Sequence, residues 1–309
     1  MSRKSSQRTS GLLAELRSAL GDAQPTLLRI TQQPFDHDPG HLFRMVALAP
    51  GDEPEPVDLV DYCLDLQYME AQPDLLRYAL PLCLRAWRQS VLGDTTEYES
   101  FMEHFPPAIV DGGLFERLLS EDEGRAVQRF FVRTILDAID AQDALPFSGY
   151  PNAAYPWISE LTTAGVVLPE IADLWRAWWS IESTGPACAA IQYASCLIYA
   201  DHDNPVFPQP PRGAAGGPPE LWEFSGFLYN RCWRAENVAF LRATLTVEKL
   251  EDVVKRAADR LEALPMGAMA ATVHADFKAR REVVEARCRE LPDILATKQG
   301  TPPHFEWSR

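Results

Sequence analysis

The sequence predicts a mostly α-helical protein, an irregular helical bundle or a set of stacked helical pairs. Three observations lead there. Apolar residues recur at three- and four-residue steps over long stretches, acid–base pairs stand four residues apart on the opposite faces, and strand-like segments are confined to the N-terminal third.

Taken from the start of the chain, Met1 to Ser10 is basic and serine-rich without an apolar core, and reads as a disordered tail spanning 1–10. A helical domain is expected over 11–200. Within it, Thr26 to Thr31 and Leu42 to Leu48 could pair as a small β-hairpin (26–48) around the loop Gln32 to His41. The second of these could equally be a short helix, with Pro39 in its first turn and Asp38 as its cap. Ser120-Glu121-Asp122-Glu123 has the form of a capping box, in which the serine oxygen accepts from first-turn amides and the glutamate reaches back to the cap. The helix it opens carries Val127, Phe130, Phe131, Ile135, Ala138 and Ile139 on one face. Pro169 and Pro186 each suit the first turn of a further helix, where the missing amide proton costs nothing. The first of those two helices is tryptophan-rich (Trp175, Trp178, Trp179). The second is alanine-rich, allowing close approach of a neighbour, so both are expected at the centre of the packing.

Asp201 to Glu220 holds six prolines among glycines and reads as a loop or linker over 201–220. Ala144 to Pro156 is a shorter break. Helices are expected again over 221–292, followed by an irregular tail at 293–309. In the C-terminal part Val247, Leu250, Val254, Ala257, Leu261 and Leu264 draw one apolar stripe, and Glu251–Lys255, Asp252–Arg256, Asp276–Arg280 and Glu285–Arg289 place each acid four residues before its base. Pro265-Met266-Gly267 divides this stretch into an antiparallel pair, the second helix carrying Val273, Phe277, Val284 and Leu291.

Composition narrows the function. With 309 residues, 46% hydrophobic and 24% charged, the chain can bury a large core, and its formal charge of -15 opposes a broad attraction to nucleic acid or an anionic membrane. No apolar run approaches the roughly 20 residues needed to cross a bilayer, and a cytoplasmic, bacterial protein is expected. The six cysteines lie far apart with no C-x-x-C pair, which fits buried free thiols better than disulfides or zinc ligands.

Motifs that carry chemistry are missing. There is no phosphate loop, no G-x-S-x-G elbow, no H-E-x-x-H and no Glu-x-x-His. Class I terpene synthases share the size, acidity and helical character, but the segment around Asn230 and Asn237 lacks the serine and glutamate of their second metal motif, which sets that family aside.

Two constellations stand out. Between Met45 and Leu76 lie Asp52, Glu53, Glu55, Asp58, Asp61, Asp65, Glu70 and Asp74 with no Lys or Arg. Asp58, Asp61 and Asp65 share one side of a helix whose other side carries Val57, Val60 and Leu64, so the acids are expected on a solvated face. That face could be simply hydrated, could dock a basic protein, or could bind a divalent cation. The second constellation is Asp36-His37-Asp38 with His41, and Asp201-His202-Asp203, which supply oxygen and imidazole ligands on loops; each could equally serve as a turn or cap before Pro39 and Pro205. The leading expectation is a non-catalytic accessory, immunity-like or regulatory protein that binds a basic protein partner through Asp58, Asp61 and Asp65, with no cofactor. The alternative is a hydrolase using a divalent transition metal held by Asp36, His37, Asp38, His41, Asp201, His202 and Asp203.

Overall fold

A computed structural model describes residues 3–21, 24–49, 51–93, 99–145, 179–199, 204–206 and 232–297. Among these the regular structure is helical, with no strand. The helices are α1 (Arg3–Leu20), α2 (Gly40–Val46), α3 (Pro56–Tyr68), α4 (Pro73–Val91), α5 (Glu99–Asp111), α6 (Glu121–Asp140), α7 (Thr184–Ile198), α8 (Ala235–Thr244), α9 (Val247–Leu261), α10 (Gly267–Ala279) and α11 (Arg281–Ala296). A 3-10 turn at Leu27–Arg29 and a π-helical turn at Leu114–Leu118 complete them. The chain divides into two compact units, Met1–Thr134 and Ile135–Arg309. The Pro169 helix, Trp175, Trp178 and the 201–220 loop expected from sequence lie outside the described residues, apart from Asn204 to Val206. Helix α1 starts at Arg3, within the stretch read as a tail, and α11 continues past Pro292 to Ala296.

The hairpin considered for residues 26–48 does not form. Leu27–Arg29 is a 3-10 turn, and His41, Leu42, Met45 and Val46 are buried at helical spacing on one side of α2. The reason is the start signal: Pro39 precedes the first turn, and Asp38 Oδ1 accepts the Gly40 amide at 3.0 Å.

In the first unit α3 and α5 run in close contact. Gly112, just past α5, permits this, because a Cβ there would stand 2.8 Å from the Leu66 carbonyl oxygen of α3. Trp87 of α4 meets Phe131 of α6 edge to face at 4.8 Å, and Phe101 and Phe105 of α5 stack at 5.1 Å beside them. The guanidinium of the buried Arg88 donates to Thr9 Oγ1 and Thr134 Oγ1, both at 3.0 Å. The capping box at the start of α6 forms reciprocally: the Ser120 amide donates to Glu123 Oε2 at 2.8 Å, and the Glu123 amide to Ser120 Oγ at 3.4 Å.

The second unit is organised around α7, in which every residue from Gly185 to Ile198 is buried. A helix apolar all round belongs in a core, and α9, α10 and α11 pack against it. Its last carbonyls are closed by cations: Arg280 donates to the Ile198 oxygen at 3.3 Å, and the buried Arg287 donates to those of Leu197 and Ile198. The apolar stripe of α9 is buried as expected except for Leu264, which lies beyond the helix end. The second helix of the C-terminal pair is broken at Arg280, whose φ of -111 and ψ of 22 end α10 while its side chain reaches α7. Asp252–Arg256 and Glu285–Arg289 pair as expected. Asp276 instead accepts the Tyr199 hydroxyl, and Glu251 pairs with Arg281.

Candidate functional site

Helix α3 begins at Pro56 and presents a different face to the interior than its apolar spacing suggests. Leu59, Tyr62, Cys63 and Leu66 are buried, and so are Asp58 and Asp65, at 2% and 1% exposure, whereas Val57 is 57% exposed. The expectation of a solvated Asp58–Asp61–Asp65 face is therefore corrected: two of the three carboxylates point inward, and only Asp61 retains partial exposure. The cause is a set of donors from the preceding segment. Arg44 of α2 donates to Asp58 Oδ1 from Nε at 2.9 Å and from Nη2 at 2.6 Å. Asp65 accepts the Phe35 amide at Oδ1 (2.7 Å) and the Gln32 side-chain amide at Oδ2 (3.3 Å), and its Oδ2 lies 2.8 Å from His41 Nε2. A buried carboxylate persists where such partners replace water.

The two constellations read separately in the sequence thus meet at one place through His41 and Asp65. His41 is 2% exposed, and its other ring nitrogen, Nδ1, lies 3.2 Å from the Asp38 carbonyl oxygen. Burial pulls the His41 imidazole down, but the hydrogen bond and charge of Asp65, then Asp61, then the Asp38 carbonyl outweigh it and hold the ring above the ordinary 6.5. Asp61 is shifted the other way from a typical surface acid. Burial raises it, and the like charges of Asp36, Asp58 and Asp65 add to that against the opposing pull of His41.

Asp36 and Asp38 act as turn residues. Asp36 Oδ1 accepts the Asp38 amide at 3.0 Å, Asp38 accepts Gly40, and the exposed His37 between them adopts the left-handed region at φ 67. Asp201, His202 and Asp203 lie outside the described residues. Among the described residues no group of three or more His, Cys, Asp or Glu is placed to hold a metal ion. The loop segment is anchored a second time, at α4: Gln72 Oε1 accepts the Thr31 and Gln32 amides at 2.7 and 3.1 Å, while the Gln72 amide donates to Gln32 Oε1 at 2.9 Å.

What sequence reasoning missed is the apolar part of this surface. Of the eight large hydrophobic side chains exposed among the described residues, six lie between Leu27 and Tyr68: Leu27, Leu28, Phe35, Phe43, Val57 and Tyr68. Leu28 is 98% exposed, and the Phe35 and Tyr68 rings meet at 4.7 Å. A signal existed in α2, where Phe43 falls outside the buried set Leu42, Met45 and Val46. The same stretch of chain carries the exposed Asp36, Asp38, Glu55 and Glu70.

Among the described residues no helix is long and apolar enough to cross a membrane. No protein-family model, curated protein or solved structure matches this chain.

Proposed function

We propose that the protein is a non-catalytic binding module whose 27–70 segment docks a basic partner protein carrying apolar side chains. The observation that carries this reading is the concentration of exposed apolar residues on the same short segment as the exposed acids. Exposed apolar side chains rimmed by charge favour a protein interface, the apolar groups supplying affinity and the acids selecting a basic partner. Arg44 and His41 of α2 are bonded to Asp58 and Asp65. The acid set that docks the partner is the exposed Asp36, Asp38, Glu55 and Glu70 with the half-buried Asp61, and Asp58 and Asp65 hold the surface in shape.

A photo-crosslinking amino acid at Phe43, with a control at the exposed Val283, tests this in cells. The expected product is one basic protein joined at Phe43 and absent at Val283, in a yield that drops as salt rises above about 0.15 M. Identical products at both positions, an acidic partner, or no product at Phe43 would refute it.

A further inference from the structure

We propose that His41 and Asp65 form a proton-dependent latch on this docking face: with both ring nitrogens protonated residues 35–41 are held against α3, and loss of one proton loosens them, Phe35 included. The inference rests on the docking reading for its purpose, but its mechanism stands on the geometry of the pair.

A backbone carbonyl only accepts, so the nitrogen facing the Asp38 oxygen donates. The Asp65 carboxylate, which already receives the Phe35 amide and the Gln32 side chain, also accepts, so the nitrogen facing it donates too. The ring held in this way is the imidazolium. A neutral imidazole has one N–H, and the nitrogen that loses its proton turns a lone pair toward either the buried Asp65 carboxylate or the part-buried Asp38 carbonyl. Asp65 is fixed within α3 and Thr31 and Gln32 are bonded to Gln72, whereas Phe35 to Asp38 are exposed and lie beyond that anchor, so residues 35–38 are the side that yields. The charged groups facing His41 are Asp65 and Asp61 of α3, and Asp38 through its carbonyl; Asp36 acts on Asp61, and Arg44, one turn along α2, is paired with Asp58. The acids facing the ring favour its charged form, in agreement with the contact geometry. The Phe35 amide donates to the other oxygen of the same carboxylate and its ring meets Tyr68, so loosening at His41 leaves Phe35 held by one bond to Asp65 and weakens the aromatic pair of the docking face.

The test uses the full-length protein and the isosteric variant Asp65→Asn. Hydrogen exchange of peptides covering 31–41, corrected for the intrinsic rate, is followed from about pH 6 to about pH 9, alongside an NMR titration of His41. In the wild type, protection is expected to fall by about tenfold or more as the ring titrates. In the variant the pattern inverts at His41: the asparagine Oδ1 still accepts the Phe35 amide and its Nδ2 donates to neutral His41, while the Gln32 side-chain donor loses its acceptor at both ends of the range, so the segment is uniformly less protected but tightest when the ring is uncharged. The His41 midpoint should also drop by about one unit or more. A wild-type segment equally protected across the range, or a variant with the same loss as the wild type, would overturn the latch. The wild-type titration decides the matter alone if the variant does not fold. A third arm measures binding of a synthetic lysine–leucine amphipathic peptide at both ends of the range. Loop release with no peptide binding at either pH would sink the docking reading and leave the latch standing, while peptide binding that ignores loop release would sink the link between the two.

Discussion

Replacing Asp65 by alanine removes the acceptor for three donors at once, and the structure sets the cost. The carboxylate is 1% exposed and takes the Phe35 amide at 2.7 Å, the Gln32 side chain at 3.3 Å and His41 Nε2 at 2.8 Å. Breaking a buried ion pair by removing one partner costs about 3–5 kcal/mol, because the remaining charge is left without compensation. The two amides add to this only in part, since the loop can open and return them to water at about 1 kcal/mol each. A loss of about 3–5 kcal/mol is therefore expected for the first unit, read from urea denaturation near pH 6 as a lower midpoint with an unchanged slope. The size should depend on pH with a definite sign. His41 is held above its ordinary 6.5 in the folded state, so the stability it contributes is complete below 6.5 and is lost as pH rises through the raised value. The difference between wild type and Asp65→Ala should shrink at alkaline pH. A loss below about 1 kcal/mol near pH 6, the level of an exposed ion pair, would mean that Asp65 is hydrated and that α3 turns a different face to the interior.

Three further changes probe the fold around the site. Tyr62 is fully buried and its hydroxyl has no hydrogen-bond partner among the described residues, so Tyr62→Phe should raise stability by about 1 kcal/mol; a loss of that size in thermal unfolding would show that the hydroxyl is satisfied. Gly112→Ala would set a Cβ 2.4 Å from the Ala108 oxygen and 2.8 Å from the Leu66 oxygen, both backbone atoms, and should cost about 1–3 kcal/mol as α3 and α5 part; a neutral result would show the contact to be loose. Glu123 is held below its ordinary 4.5: burial works against this, but the Arg77 hydrogen bond and the Ser120 donors prevail. Its contribution is present above 4.5 and lost as pH falls through the lowered value. Glu123→Gln should accordingly destabilise by about 1–2 kcal/mol at neutral pH and less in acid, measured by denaturation at both.

Much of the fold was legible because its signals are local. Ser120 and Glu123 sit three residues apart and cap each other in the structure. The stripe Val247, Leu250, Val254, Ala257 and Leu261 is buried because nothing in α9 competes with its helical period. The alanine-rich stretch after Pro186 became the central helix for the reason its small side chains suggested. The break at Arg280 was not legible, since the apolar period continues across it from Phe277 to Val284. The backbone turns there where Arg280 bonds the end of α7, a partner more than eighty residues away in sequence.

The site was misread for a related reason, and α3 shows why periodicity fails there. Its apolar residues do recur at helical steps, but two competing faces can be drawn through them, one led by Val57, Val60 and Leu64 and the other by Leu59, Tyr62, Cys63 and Leu66. Hydrophobicity alone favours keeping three aspartates out of the core and so selects the first. The second buries the larger apolar volume, including Tyr62, and becomes available only if Asp58 and Asp65 find donors. Those donors come from Gln32, Phe35, His41 and Arg44, in the segment that sequence reasoning treats as a possible hairpin and as a separate set of metal ligands. The two readings are coupled. Once residues 40–46 are helical, His41 and Arg44 fall one turn apart and reach Asp65 and Asp58, themselves two turns apart on α3. Of the face given up by this choice, Val60 and Leu64 are half-buried and Val57 stays at the surface at 57% exposure, so the pairing that draws the acids inward also leaves an apolar side chain of α3 in water.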